Sequence, residues 1–309
     1  MLSNFLTVGT QVLVLFILIA AGVICAKVGW LSEKATRGMT DLVLYFATPC
    51  VIIRSFQREI TPELMKNLAI AALAAIGVHA LGILLAHVLC HNQEEARERV
   101  LRFGVVFSNA GYMAIPLQQA LLGDDGVFYG AVYVGVFNII LWTYGVGIMS
   151  GDIKSTTLRK VLINPGIIGV VLGLLFCLAG ITLPNVIAAP VSHLANLNTP
   201  IPMLIIGYYL ANADVKAALR DRSSYLAITL RLLVIPLIAL GILWVCGVRG
   251  TVLISAVIGA SAPIATATTM FAAKYDRSST LSVNLVVLST ILSVITMPLI
   301  VGLATILAG

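Results

Sequence analysis

The sequence predicts an all-α polytopic membrane protein in which ten transmembrane helices form two inverted five-helix repeats, and three observations predict this fold. Hydrophobic residues make up 60% of the 309 positions and charged residues only 10%, whereas a soluble domain carries about 25% charged residues. The apolar residues form runs long enough to cross a bilayer, which takes about 20 residues per helix. A shift of 152 positions places Asn109 on Ser261 and Gly111 on Pro263, so the two halves repeat.

Local sequence marks the ends of several spans. Pro62 follows Thr61, and proline suits the first turn of a helix. The Gly-Asp-Asp-Gly sequence at 123–126 is typical of a tight turn. Asn-Pro-Gly at 164–166 lies near the start of the sixth span and also fits a late helix start. The predicted spans are 6–27, 36–55, 64–90, 99–122, 126–150, 160–181, 190–212, 222–247, 251–274 and 280–307.

The distribution of Lys and Arg predicts the orientation. Fourteen of the 19 basic residues follow odd-numbered spans, four follow even-numbered spans, and Arg231 lies inside a span. Since positively charged loops stay in the cytoplasm, we expect the odd-span loops to be cytoplasmic and both termini to face outward. The first apolar run has no basic residue before it and Lys27 after it, the reverse of a cleavable signal peptide. We therefore expect a retained first span.

The repeat also predicts the domain organisation. Residues 1–150 form the first five-span repeat and 160–309 the second, with 151–159 as a cytoplasmic linker. Thr48-Pro49 corresponds to Thr199-Pro200, and Asn138 corresponds to Thr290. Because each copy has an odd number of spans, the second copy enters the membrane from the opposite side. In such folds the substrate site lies near the midplane, between the repeats.

The fourth and ninth spans each contain a sequence that breaks a helix. Gly111 adds backbone freedom, and Pro116 lacks an amide proton and clashes with the carbonyl four residues back. Pro263 has the same effect in the ninth span. Backbone groups freed in hydrocarbon must be buried in protein or line a cavity, and interrupted segments at matched positions indicate a transporter's binding site. Two proline kinks without a ligand are the alternative.

Polar groups at these breaks are the candidate substrate-binding residues. Asn109 can both donate and accept hydrogen bonds, and half-helix N-termini attract anions. For the hydroxyls the alternative is local bonding to their own helix backbone, which is favoured for any single threonine, and interhelical bonding equally explains Asn138. Ser108, Thr268 and Thr269 add further hydroxyls. The predicted substrate-binding residues are Asn109, Gly111, Pro116, Ser261, Pro263, Thr266 and Asn138.

Three ionisable residues are candidates for charge balance or proton coupling. Arg231 lies nine residues past Arg222, about 13 Å into the span, where a charge indicates a functional site unless it snorkels to the surface. His79 could relay protons or pack as a neutral core residue. Glu63 lies at the outer end of the third span, where an acidic residue also suits a helix N-terminus. Neither break contains Glu or Gln.

Catalytic residues, metal sites and cofactors are not predicted. The sequence has no phosphate-binding loop, no HExxH motif and no Cys/His cluster, and its five cysteines form no close pair. The basic residues lie in short loops, so membrane topology explains them without a nucleic-acid partner.

The stretch from Asn109 to Leu117, followed by Gly123-Asp124, resembles the auxin efflux carrier family, which includes bacterial malate and malonate permeases and plant PIN auxin exporters. The further matches are Ala262-Pro263 with the Met-Phe-Ala-Ala-Lys-Tyr sequence at 270–275, Met-Pro-Leu at 297–299 and Phe-Ala-Thr-Pro at 46–49. The long cytoplasmic loop of the plant members is missing. The resemblance implies the fold of bile-acid sodium symporters, with a scaffold of spans 1, 2, 6 and 7 that often dimerises. It also implies a transport domain of spans 3–5 and 8–10 that moves as an elevator.

From the residues and the resemblance we predict a secondary or potential-driven carrier of small organic anions, auxin-like or malate-like carboxylates, working as an exporter. We expect a homodimer in the inner (plasma) membrane of a bacterium, with the carboxylate substrate and the lipid bilayer as its partners. One alternative is a sodium-coupled symporter of the same fold, which the lack of an acid at either break disfavours. The other is a membrane sensor or structural partner that transports nothing.

Overall fold

The computed structural model describes residues 2–59, 61–91, 94–152, 164–212, 219 and 221–309. Within these ranges the regular structure is helical, with one isolated antiparallel bridge and no β-strand. The α-helices are α1 (Leu2–Lys27), α2 (Glu33–Leu42), α3 (Thr48–Ser55), α4 (Pro62–Leu89), α5 (Glu95–Val106), α6 (Ile115–Ile140), α7 (Val146–Ser150), α8 (Pro165–Leu178), α9 (Asn185–Asn196), α10 (Pro200–Ala211), α11 (Arg222–Thr229), α12 (Ile235–Val245), α13 (Gly250–Ser261), α14 (Ala267–Lys274) and α15 (Ser279–Leu307). The π-helical segments in the same ranges are Val43–Ala47, Ala110–Ala114, Leu141–Gly145 and Leu230–Val234.

The described part of the chain is an all-helical polytopic membrane protein. Five stretches are long and apolar enough to cross a membrane, and α8 and α13 are shorter apolar helices. The five stretches are Gly9–Lys27, Pro62–Leu89, Ala110–Ser150, Ser223–Val245 and Ser279–Leu307. Most of the predicted linker at 151–159 and the first residues of the sixth predicted span lie outside the described residues.

Three of the π-helical segments end directly before a proline-containing helix start. Proline cannot donate to the carbonyl four residues back, and its ring clashes with that carbonyl. The residue just before each proline bonds instead to the carbonyl five residues back: Thr48 to Val43, Ile115 to Ala110, and Ile235 to Leu230. This wider turn lets the helix continue through the proline, whose own nitrogen donates no hydrogen bond.

One set of helices packs through small residues. Helix α1 runs along α10, and α3 packs against α8 and α9. A Cβ placed on Gly22 would lie 2.5 Å from the Leu204 carbonyl oxygen, and one on Gly207 would lie 2.2 Å from the Ile19 carbonyl oxygen. The α1 and α10 backbones therefore touch at these glycines, as small residues permit in membrane helices.

The remaining long helices enclose the ends of α5 and α13. Helix α6 packs against α4 and α13, and α13 also packs along α15. A Cβ on Gly259 would lie 3.0 Å from the Tyr133 ring, so α13 touches α6 closely there. Val106 and Ser261, the last residues of α5 and α13, are both buried. Both helices therefore end inside the protein rather than at its surface.

Loops that follow odd-numbered predicted spans meet at one end of the molecule. Arg97 Nη2 lies 2.7 Å from Asp221 Oδ2, and Arg99 and Arg277 donate to carbonyls of the last turn of α7. Burial alone would raise the pKa of the Asp221 carboxyl, but hydrogen bonds from Ser223 and Arg97 outweigh it and lower that pKa.

Several predicted boundaries differ from the structure. The predicted seventh span is two helices, α9 and α10, because the chain leaves the helix between Asn196 and Pro200. By contrast, the predicted tight turn at 123–126 is present: the α6 range holds two helices that meet at Gly123, whose φ of 64° and ψ of −151° favour glycine. The chain folds back there, since a Cβ on Gly130 would lie 1.9 Å from Gln118 Oε1. Helix α8 begins at Pro165, as the late-start alternative proposed.

The first break lies slightly before its predicted position. The chain leaves the helical conformation at Phe107 to Asn109 and is helical again by Gly111. Pro116 follows the π-helical segment Ala110–Ala114, through which the helix continues into α6. The proline is accommodated inside this helix, and the interruption itself falls upstream.

Candidate functional site

The two interrupted helices cross in the interior and hydrogen-bond to each other. Ser108 and Ile264 face each other in an antiparallel bridge. The Asn109 N–H donates to the Pro263 carbonyl at 2.7 Å, and the Ala265 N–H donates to the Phe107 carbonyl at 2.9 Å. We call residues 107–109 and 262–265 the crossing.

The crossing buries the backbone groups that the breaks release. Ser108 and Ile264 are fully buried, and the Ile264 N–H donates to Ser289 Oγ of α15 at 3.1 Å. Backbone polar groups at membrane depth are tolerated when protein surrounds and pairs them. The crossing meets that requirement by pairing one break with the other.

Buried polar atoms without a hydrogen-bond partner cluster at and beside the crossing. Among the described residues, these include Ser108 Oγ, Asn109 Nδ2 and Thr268 Oγ1. The Tyr133 hydroxyl approaches Ser108 but forms no hydrogen bond of good geometry. An unpaired buried polar group costs about 1–3 kcal/mol, so such a cluster is a place where a polar ligand is favoured.

Two new helical segments begin just after the crossing. The segment Ala110–Ala114 leads into α6, and α14 starts at Ala267. The first N–H groups of a helix have no carbonyl partner within it, and the helix dipole is positive at this end. Asn109 directly precedes one start, and Thr268 lies in the first turn of the other. The crossing thus joins donor side chains to positive helix ends, an arrangement suited to an anion.

Arg231 lies on the opposite, C-terminal side of the two breaks. Its side chain is fully buried, so the snorkelling alternative is wrong. Nη1 donates to the carbonyls of Val105 and Val106 at 3.1 and 3.3 Å, and Nη2 donates to the Ala260 carbonyl. One guanidinium therefore caps the last turns of both α5 and α13.

His79 is buried among aromatic rings beside the crossing. Its ring centroid lies 5.2 Å from that of Tyr133 and 6.2 Å from that of Phe107. Nδ1 lies 2.7 Å from the Ala75 carbonyl. A carbonyl only accepts, so Nδ1 carries the proton. Nε2 has no partner among the described residues.

The other predicted site residues have different surroundings. Ser261 Oγ donates to the Ile258 carbonyl of its own helix at 3.2 Å, the local bonding considered above. Asn138 Nδ2 donates to the Val134 carbonyl at 2.9 Å, and its Oδ1 accepts from Asn164 Nδ2 at 3.2 Å. Asn138 is thus engaged between α6 and the start of α8, and no described hydrogen bond joins it to the crossing.

Three further predicted residues have no side-chain hydrogen bond at the crossing. A Cβ on Gly111 would meet nothing within 4 Å, so open space lies beside it. Pro116 is buried in the first turn of α6, and Thr266 is half-buried just before α14. Their contribution is to the backbone path that starts the two new helices.

Glu63 lies away from the crossing, in an open cleft of about 510 Å³ at the ends of α4 and α13. It occupies the first turn of α4, as an acidic residue at a helix N-terminus does. The cleft is also lined by Lys66, Asp125 and Arg249. This is the end of the molecule at which loops after even-numbered predicted spans meet.

Two ion pairs at this same end connect α3 and the loop that follows it to α6. Arg58 Nη1 lies 2.6 Å from Asp125 Oδ1, and Arg54 Nη2 lies 3.4 Å from Asp124 Oδ1. Arg54 also donates to Gln119 at 2.8 Å. These contacts join a helix of the predicted scaffold to the predicted transport domain.

Sequence reasoning missed Gln118, which lies two residues after Pro116. Its side chain is buried, and Nε2 donates to the Ser255 carbonyl and to Ser255 Oγ, both at 3.0 Å. A Cβ on Gly130 would lie 1.9 Å from Gln118 Oε1. Gly130 was the available signal in the sequence, because a glycine leaves room for a neighbouring side chain. The hydrogen bonds between Gln118 and Ser255, however, join distant parts of the chain, and no local pattern predicts them.

Comparison with known proteins adds independent evidence. A family model described as "Membrane transport protein" matches residues 7–301. The chain is 25% identical over 293 residues to an uncharacterized transporter of Methanothermobacter thermautotrophicus, an alignment that covers 93% of this chain and 95% of that protein. It is 24% identical over 217 residues to an uncharacterized transporter of Methanocaldococcus jannaschii, covering 66% of this chain and 70% of that protein.

Proposed function

Because the chain belongs to the family of membrane transport proteins that includes the auxin efflux carriers, we propose that it is a secondary carrier of small organic anions and binds them at the crossing. The observation that carries this proposal is the set of buried donor atoms without partners, Asn109 Nδ2 and Thr268 Oγ1, beside two helix N-termini. A carboxylate accepts from both side chains and is stabilised by the positive helix ends.

The proposed transport cycle moves the crossing relative to a stationary scaffold. Ten spans arranged as two inverted repeats give a scaffold of spans 1, 2, 6 and 7 and a transport domain of spans 3–5 and 8–10. The packing of α3 on α8 and α9, and of α1 along α10, supports the first group. The packing of α6 on α4 and α13, with α15, supports the second. Motion of the second group as one body carries the bound anion across the bilayer, with the scaffold held as a homodimer.

The proposed direction of transport is outward, from the cytoplasm across the plasma membrane. In this orientation both termini of the chain face the outside of the cell. The interior of such a cell is electrically negative, so the exit of an anion is downhill in potential. The carrier then needs no ATP and no catalytic residue. A flux measurement distinguishes this carrier from a sensor, which binds the anion but does not transport it.

The test is anion flux in proteoliposomes. Vesicles that contain the purified full chain are loaded with radiolabelled malate, malonate or indole-3-acetate, and release is followed over time. We expect saturable release of at least one of these carboxylates, absent from protein-free vesicles and strongly reduced by Asn109→Ala. Binding without flux favours the sensor. Neither binding nor flux for any carboxylate, with folded protein, contradicts the proposal.

A further inference from the structure

The charge of Arg231 is balanced by backbone rather than by an acidic side chain. Among the described residues, none of the ion pairs includes Arg231. Its guanidinium instead meets the final carbonyls of α5 and α13. Each helix C-terminus carries about half a negative charge, so two ends present about one. That matches the single positive charge of a guanidinium, which stays protonated in proteins.

A cluster of carbonyl oxygens at interrupted helix ends is also the kind of site that binds a coupling cation. In carriers with broken helices, unwound carbonyls and half-helix C-termini coordinate Na⁺. The same carbonyls here accept from Arg231, whose side chain is the largest fully buried one among the described residues. The position is therefore filled from within the chain.

We infer that the Arg231 guanidinium is a resident cation, which balances the two half-helix ends at the crossing and takes the place of a coupling metal cation there. A carrier built this way binds its anion without Na⁺. The consequence for coupling rests on the proposed function, whereas the resident-cation role itself concerns the folded protein without substrate. The two are tested separately, because the following experiment contains no organic anion.

The experiment compares thermal unfolding of the detergent-purified full chain in NaCl and in choline chloride of equal ionic strength. Arg231→Lys keeps the charge, Arg231→Met removes it but fills the space, and Arg231→Ala removes it and leaves room for an ion. Arg249→Ala is the matched control, since Arg249 also donates to the last turn of a helix, at Trp244 of α12, but is exposed.

In choline, we expect Arg231→Lys to melt close to wild type, and Arg231→Met and Arg231→Ala to melt well below it. Sodium should raise the melting temperature of Arg231→Ala by roughly 2–4 °C or more, and leave wild type, Arg231→Lys, Arg231→Met and Arg249→Ala unchanged. Recovery of folded Arg231→Ala only in sodium medium supports the inference equally. So does the loss of both neutral variants in both media while Arg231→Lys folds.

Three outcomes overturn the inference. Stabilisation of the wild type by Na⁺ shows that a metal cation binds despite Arg231. Equal stability of Arg231→Met and wild type in choline shows that the crossing needs no cation. Failure of Arg231→Lys together with the neutral variants shows that the shape of the guanidinium matters rather than its charge. None of these unfolding results bears on anion flux in liposomes, so the proposed function is tested separately by the flux assay.

Discussion

Asn109 has three backbone hydrogen bonds and a side-chain donor that no described residue accepts from. Its N–H donates to Pro263, its carbonyl accepts from the N–H groups of Met113 and Ala114, and its Nδ2 has no partner among the described residues. The backbone contacts are independent of the side chain, so truncation leaves the crossing intact and removes only the free donor. That separation makes the residue suitable for testing binding without testing folding.

Asn109→Ala should lower the affinity for the carboxylate about ten- to hundredfold, because a hydrogen bond to a charged group is worth about 1.5–3 kcal/mol. The measurement is isothermal titration of the purified protein with the carboxylate that the flux assay identifies. Asn138→Ala is the matched control, since Asn138 is a buried asparagine whose side chain is engaged elsewhere. An unchanged affinity in Asn109→Ala removes this side chain from the site.

Gly130 is a second residue whose role follows from its contacts. A Cβ there would lie 1.9 Å from Gln118 Oε1, so Gly130→Ala should displace Gln118 and destabilise the protein by about 1–3 kcal/mol. The check is a lower melting temperature. Gly77→Ala in α4 is the control, because a Cβ there meets nothing within 4 Å and alanine favours a helix. Equal melting temperatures for both variants contradict the close contact.

At the scale of the helices, the sequence predicted the two interruptions but not how the chain passes through its prolines. Pro116 and Pro236 each lie just after a π-helical segment, through which the helix continues. Such a wider turn accommodates a proline, so its presence alone does not locate a break. The interruption at Phe107 to Asn109 is held by pairing with a segment more than 150 residues away, and no local pattern contains that information.

What the sequence did predict depends on composition and on matched positions. The polytopic membrane class follows from apolar runs, and the placement of Asn109, Pro263 and Arg231 at membrane depth follows from counting along them. The hydrogen bonds of Arg231 and Gln118 could not be predicted, because they depend on which carbonyls and hydroxyls lie across the helix interface. Local periodicity specifies a face of a helix, but not its partner.

The ion pairs that join α3 and the loop after it to α6 connect elements that the proposed cycle moves apart. If α6 moves as part of the transport domain, Arg54–Asp124 and Arg58–Asp125 must break during each cycle. Each partly exposed pair contributes about 0.2–1 kcal/mol. Together they bias the resting state by about two- to thirtyfold, enough to affect which side of the membrane reaches the site.

The double variant Asp124→Asn with Asp125→Asn should therefore shift the resting state toward the alternative conformation. The readout is the rate at which a thiol reagent labels Gly111→Cys, beside which there is open space, in protein whose native cysteines are replaced. We expect a change of about two- to thirtyfold. Glu33→Gln, which removes an exposed pair within α2, should change nothing. Equal rates for both variants show that the pairs do not hold the state.

At the scale of the whole molecule, the basic residues predict its orientation. Fourteen of the 19 Lys and Arg residues follow odd-numbered predicted spans, which predicts that those loops lie in the cytoplasm. In intact cells, a membrane-impermeant thiol reagent should label Asp125→Cys and leave Lys154→Cys unlabelled. Labelling of Lys154→Cys but not of Asp125→Cys inverts the orientation, and with it the direction in which a membrane potential drives an anion.

The energy source of transport is also a property of the whole molecule, because it depends on net charge moved per cycle. A bound monovalent carboxylate is not neutralised by a co-transported cation if Arg231 stays in place, so each cycle carries negative charge. Export from a negative interior then releases about 2.3 kcal/mol per charge per 100 mV.

In liposomes clamped with potassium and valinomycin, efflux should rise as the interior becomes more negative and should be equal in sodium and choline media. Lowering the pH through the substrate's pKa should weaken binding, because the neutral acid loses its attraction to the helix ends. A strict requirement for sodium favours the symporter alternative. Flux that is independent of the membrane potential excludes net charge movement and favours electroneutral exchange with a proton. In that case His79 and Glu63 are the residues to substitute.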